Sequence, residues 1–114
     1  MGDVPEFLIP AIREVVHELA AGNYEGLAAD GRAGRLTAGE LREAVRQYGR
    51  TLVELPDEGL QYIWVYEQQE RENTWGVDVD LWTAEEGRSD LTLSLLMEQN
   101  ASGVRAEIEN LHVL

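Results

Sequence analysis

The chain predicts an α+β domain: two or three N-terminal helices packed on a curved, roll-like antiparallel meander of three to four long strands. Three observations carry this. Apolar residues recur at helical spacing as far as about residue 48. They alternate with polar ones from about residue 75 onward. Glycine or other turn-forming residues separate the runs. The length of 114 residues, 44% hydrophobic, suits one core and falls short of two ordinary domains, so a single domain over 1–114 is expected.

The first helix is expected over about 5–21. Asp3 and Glu6 have capping-box spacing, Pro5 suits an early helical position, and Leu8, Ile12, Val15, Val16 and Leu19 form one stripe. Pro10 in the second turn implies a kink or a later start. Gly22 is the terminator, and Asn23 can cap one more short turn. "DGRAGR" (30–35) reads as a loop. Thr37 and Glu40 repeat the capping-box spacing before Leu41, Ala44, Val45 and Tyr48, giving a helix over about 38–48 that ends at Gly49. "TLVEL" (51–55) is a candidate short strand before the Pro56-Asp57 turn.

Strands are expected over about 60–67, 75–83, 89–98 and 104–113. "LQYIWVYE" is rich in β-formers. In "WGVDVDLWT", Trp75, Val77, Val79 and Leu81 take one face and Asp78, Asp80 and Trp82 the other. "SDLTLSLLM" sets Leu91, Leu93 and Leu95 against Asp90, Thr92 and Ser94, and "VRAEIE" sets Val104, Ala106 and Ile108 against Arg105, Glu107 and Glu109. A slip in alternation at Asn110 predicts a bulge there. Matching apolar faces pairs Leu81 with Leu91, Val79 with Leu93 and Val77 with Leu95. Asp80 then faces Thr92, Asp78 faces Ser94, and Trp82 faces Asp90. The loop left over is Glu85-Glu86-Gly87, with Gly87 in the left-handed position as a structural turn residue.

Charge narrows the function classes. Twenty-two acidic residues against nine basic ones, all arginine, leave −13. Residues 1–59 hold 11 acids and 6 arginines (−5), and residues 60–114 hold 11 and 3 (−8), so this is no acidic tail. Such a surface repels phosphate backbones, which argues against a nucleic-acid partner, and attracts a basic protein. No run approaches the roughly 18 apolar residues of a membrane span, and "MGDVPEFLIP" lacks the pattern of a signal peptide. The expectation is a cytoplasmic protein with no membrane partner. The absence of cysteine excludes disulfides and thiol chemistry.

One candidate interaction surface is the polar face of the strands: Asp78, Asp80, Trp82, Asp90, Glu107 and Glu109, an acidic strip with a tryptophan as anchor. Arg88 is expected to pair with Asp90 or Glu86. No catalytic residues are assigned, because paired carboxylates do acid/base work only in a dry pocket that shifts their pKa. No metal or cofactor is assigned either, because "DVDLWTAEEGRSD" lacks calcium-loop spacing. His17, in "HELAAG", is expected to be partly exposed or a satisfied boundary histidine, outside any H-E-x-x-H zinc motif, and His112 is expected to meet a carboxylate on a neighbouring strand. A second candidate is a pocket between sheet and helices walled by Tyr62, Trp64 and Tyr66.

"AIREVVHELAAGNYEGLAADG" resembles the opening of nuclear-transport-factor-like and ketosteroid-isomerase-like α+β rolls. That resemblance implies helices packed into a curved antiparallel sheet. The enzymes of that superfamily place an Asp or His inside the cone, where this chain has Val, Leu and Ile. "YGRTL", "VDLWTAEEGRSDLTL" and "HVL" resemble, over most of the chain, a family of small bacterial domains of unknown function, which supplies no catalytic residues to carry over. Small acidic single-domain proteins also resemble immunity proteins of toxin systems. The leading expectation is therefore a non-enzymatic protein-interaction module with a basic partner, or a homodimer through part of its sheet. The alternative is a small-molecule-binding or enzymatic roll with an aromatic-lined pocket.

Overall fold

The structure, a computed structural model, describes residues 4–113. It is α+β, with N-terminal helices on one face of a four-stranded antiparallel meander. The helices are α1 (Ile9–Ala21), α2 (Tyr24–Ala29) and α3 (Ala38–Tyr48). The strands are β1 (Ile63–Glu67), β2 (Thr74–Thr83), β3 (Gly87–Asn100) and β4 (Gly103–Val113), in the spatial order β1-β2-β3-β4. The sheet is open: β1 and β4 are its two edges and do not meet.

The helix boundaries follow their sequence signals. Glu6–Leu8 forms a 3₁₀ turn, and α1 proper begins at Ile9 with Pro10 in its first turn, where a missing N–H costs nothing. Asp3, half of the expected capping box, lies outside the described residues. Gly22 ends α1 at φ +76°, and Asn23 accepts the Gly26 N–H to start α2. Thr37 and Glu40 form both bonds of a capping box, and Gly49 closes α3, again at φ +76°.

Two expected strands are corrected. Residues 51–55 form only an isolated bridge, Leu52 with Thr83, supported by Val53 N–H to the Trp82 carbonyl and Ala84 N–H to the Thr51 carbonyl. β1 leaves only the last residues of β2 free on that edge, so this segment has little left to pair with. Residues 57–62 form a 3₁₀ turn after Pro56, which delays β1 to Ile63.

The core lies between helices and sheet. Ile12, Val15, Val16 and Leu19 of α1, with Leu27 and Leu41, bury against Val77, Val79, Leu93, Leu95, Met97 and Ile108. Each fully buried aliphatic side chain contributes about 1.5–3 kcal/mol through removal from water. The expected bulge in β4 is present: Ser94 pairs with Asn110 but Leu95 with Ile108, and the Asn110 side chain accepts the Leu111 N–H. The 30–35 loop reaches the outer edge of β4, where the Arg32 carbonyl accepts the Ile108 N–H at 2.7 Å.

Candidate functional site

The face of the sheet turned away from the helices is where the side chains singled out by sequence converge. β1 pairs with β2 so that Trp64 lies opposite Asp78 and Tyr66 opposite Gly76. β2 pairs with β3 so that Asp78 lies opposite Ser94 and Asp80 opposite Thr92, as expected. Ile63 and Val65 take the helix side of β1, which sends Tyr62, Trp64 and Tyr66 outward with exposures of 37, 57 and 47%. The expected pocket beneath the helices is thereby corrected: the three aromatic rings stand on the open face, beside the carboxylates. The aromatic candidate thus shares one surface with Asp78 and Asp80 of the acidic candidate. The cue was present in the alternation of Ile63 and Val65 with the aromatic residues, since aliphatic side chains take the core side when both cannot.

The face has a defined local chemistry. Ser94 Oγ donates to Asp78 Oδ1 at 2.8 Å. Arg88 Nε donates to Asp80 Oδ2 at 2.9 Å, while its guanidinium carbon lies 4.0 Å from the centre of the Tyr62 ring. A groove of about 450 Å³ runs along this row, lined by Gln61, Tyr62, Trp64, Asp78, Asp80, Arg88 and Thr92. Arg88 thus pairs with Asp80, not with Asp90 or Glu86. Tyr66 covers Gly76: a Cβ built on that glycine would stand 2.2 Å from the ring. Burial raises the Tyr66 phenol pKa, and the charges of Asp78 and Glu109 raise it further.

The remaining expected positions divide. Glu109, the extra residue of the β4 bulge, is exposed. Glu107 is half-buried toward the β4 edge, beside Gly34 and paired with Arg105 at 3.4 Å. Trp82 is no exposed anchor. Its ring is half-buried between Gly59 and Gly87, and its Nε1 has no hydrogen-bond partner among the described residues. Nor does it face Asp90: the register shifts after Asp80, pairing Trp82 with Arg88 and Thr83 with Gly87. Opposite Leu81 there are three residues, Ser89, Asp90 and Leu91. Ser89 Oγ, buried, donates to the Leu81 carbonyl at 2.7 Å and accepts the Leu91 N–H at 3.2 Å, closing this bulge. Asp90 is exposed at the hairpin end, where its N–H donates to the Tyr48 hydroxyl. Gly87 takes the expected left-handed conformation at φ +76°, but the expected loop is corrected to Ala84, Glu85 and Glu86, because Gly87 already pairs with Thr83.

The glutamates of that loop are ties. Glu85 accepts from Thr51 N–H and Oγ1, both at 2.8 Å, which lowers its pKa, and Glu86 accepts from the Tyr48 hydroxyl at 2.9 Å. His17 is exposed, with Nδ1 2.5 Å from Glu54, while His112 Nδ1 is buried and meets no carboxylate among the described residues. Among the described residues no cluster of three or more His, Asp or Glu is arranged to hold a metal ion, and no helix is long and apolar enough to cross a membrane.

Comparison with known proteins places the chain without assigning an activity. No curated protein and no solved structure matches it, and nothing links it to the nuclear-transport-factor-like roll. A family model described as "Domain of unknown function (DUF7668)" matches residues 16–114, which runs from within α1 through β4 and includes the whole aromatic and acidic face. The chain therefore belongs to the DUF7668 family.

Proposed function

We propose that this domain is a protein-interaction module that docks a basic partner on the open face of its sheet. The observation that carries this reading is the union of exposed Tyr62, Trp64 and Tyr66 with Asp78, Asp80 and Glu109 on one face. Antiparallel sheets tolerate a solvated face, but that face is ordinarily polar. Three large aromatic rings in a row offer rigid area for binding at little entropic cost, and carboxylates beside them select positive charge. The net charge of −13 steers such a partner from a distance and opposes a second copy of the chain. An immunity-type role, in which an acidic domain masks a basic toxin, is one form this recognition takes.

The test is capture of partners by the wild-type domain beside Trp64→Ser and Asp78→Arg variants, with cross-links mapped on the complex. Both positions are on the solvent side of the sheet, so both variants are expected to fold. A basic protein retained by wild type, lost from both variants and cross-linked near β1 and β2 supports the reading. Retention undiminished by either change, or cross-links confined to the helices, overturns it.

A further inference from the structure

We infer that the pair Trp64 and Asp78 forms a receiving site for an arginine side chain of the partner. This rests on the docking reading above and gives it residue-level content. The face already holds one guanidinium, and the way it holds it is instructive. The Arg88 guanidinium carbon lies over Tyr62, 4.0 Å from the ring centre, and its Nε donates to Asp80 at 2.9 Å. An aromatic ring supplies a negative π face while a carboxylate one strand away accepts the N–H.

The same two elements are repeated one step along the sheet. Ile63 pairs with Val79 and Trp64 with Asp78. Tyr62, the residue before Ile63, ends the 3₁₀ turn that leads into β1 and shares the groove lining with Asp80. Trp64 of β1 and Asp78 of β2 are therefore the neighbouring aromatic–carboxylate pair on the same face. Asp78 is steadied by Ser94, which leaves further acceptor positions on the carboxylate. Among the described residues, the arginines stacked on rings are Arg42 on Tyr24 and Arg88 on Tyr62, and neither lies over Trp64. Trp64 is also the more exposed ring and belongs to the residue type that holds cations best. The groove of about 450 Å³ joins the two pairs.

Arginine is favoured over lysine by the geometry. A planar guanidinium stacks on a ring and donates in its own plane, whereas an ammonium does one or the other less well. The occupant is thus an arginine-bearing segment of a basic protein.

The experiment titrates the whole domain with two twelve-residue peptides of equal charge, one with arginine at alternate positions and one with lysine there. Indole and backbone N–H signals are followed by NMR at 150 mM salt, roughly the physiological ionic strength, in wild type and in Trp64→Leu and Asp78→Asn. The Trp64 indole signal is identified by its loss in Trp64→Leu. The expected result is that the arginine peptide shifts that signal and binds about 3- to 10-fold tighter than the lysine peptide, with the difference abolished in Trp64→Leu. Equal binding of both peptides across the open face overturns the arginine site and leaves the docking face standing. Shifts confined to other surfaces, or none, overturn both.

Discussion

His17 and Glu54 illustrate what single residues contribute outside the candidate site. The imidazole of α1 lies 2.5 Å from a carboxylate of the 51–57 segment, and Arg13 of the same helix reaches Asp57 at 2.7 Å and the Leu55 carbonyl. These bonds hold a segment that the sheet itself barely pairs. The hydrogen bond to Glu54 and its charge raise the His17 pKa above the usual 6.5. The folded state therefore binds the proton more tightly than the unfolded chain. Its stabilising contribution is complete below 6.5 and is lost as pH rises through the folded value. Urea midpoints of wild type and His17→Gln are expected to differ at pH 5.5 and to converge by pH 8.5. A gap that persists at alkaline pH would remove the ion pair as its cause. Because both groups are exposed, the gap should be small.

At the scale of elements, the hairpin between β2 and β3 separates what is legible in sequence from what is not. Capping boxes, terminal glycines and period-two alternation are local, and the chain obeys them at Thr37, Glu40, Gly22 and Gly49 and through the three long strands. The middle register, with Asp78 facing Ser94, follows from matching apolar faces. The hairpin end does not, because its bulge is closed by a serine hydroxyl bonding across strands, and no periodicity records that. The outward turn of Tyr62, Trp64 and Tyr66 was half legible: their shared side was evident, but which side depended on the partner strand. Trp82 departs from its expected exposure because Gly59, from the 3₁₀ turn at 57–62, covers its ring, a contact that no local periodicity records. Ser89→Ala should be costly for so small a change. It removes one donor and one acceptor from a buried site, leaving the Leu81 carbonyl and Leu91 N–H without them, a penalty of about 1–3 kcal/mol. A urea midpoint unchanged from wild type would show that the bulge closes without the hydroxyl.

As a whole, the sheet of the molecule has two faces of different character. One is sealed by helices over an aliphatic core, and the other leaves aromatic rings in water beside negative charge. A charge of −13 makes identical chains repel one another at long range. The edges of the sheet pose a separate hazard, because β4 is 11 residues long and lies at the margin. There the Arg32 carbonyl occupies the Ile108 N–H. The loop that brings it turns at Gly34, at φ +62°, where any Cβ would meet the Ile108 carbonyl oxygen at 2.5 Å. Gly34→Val is thus expected to lift the loop from β4 at a cost of about 1–2 kcal/mol for the left-handed backbone alone. Light scattering and thioflavin fluorescence on warming would report the result, and a variant that stays as clear as wild type would refute it. A single glycine in a surface loop would then act as a lock against fibril growth, denying an incoming strand the template on which amyloid elongates.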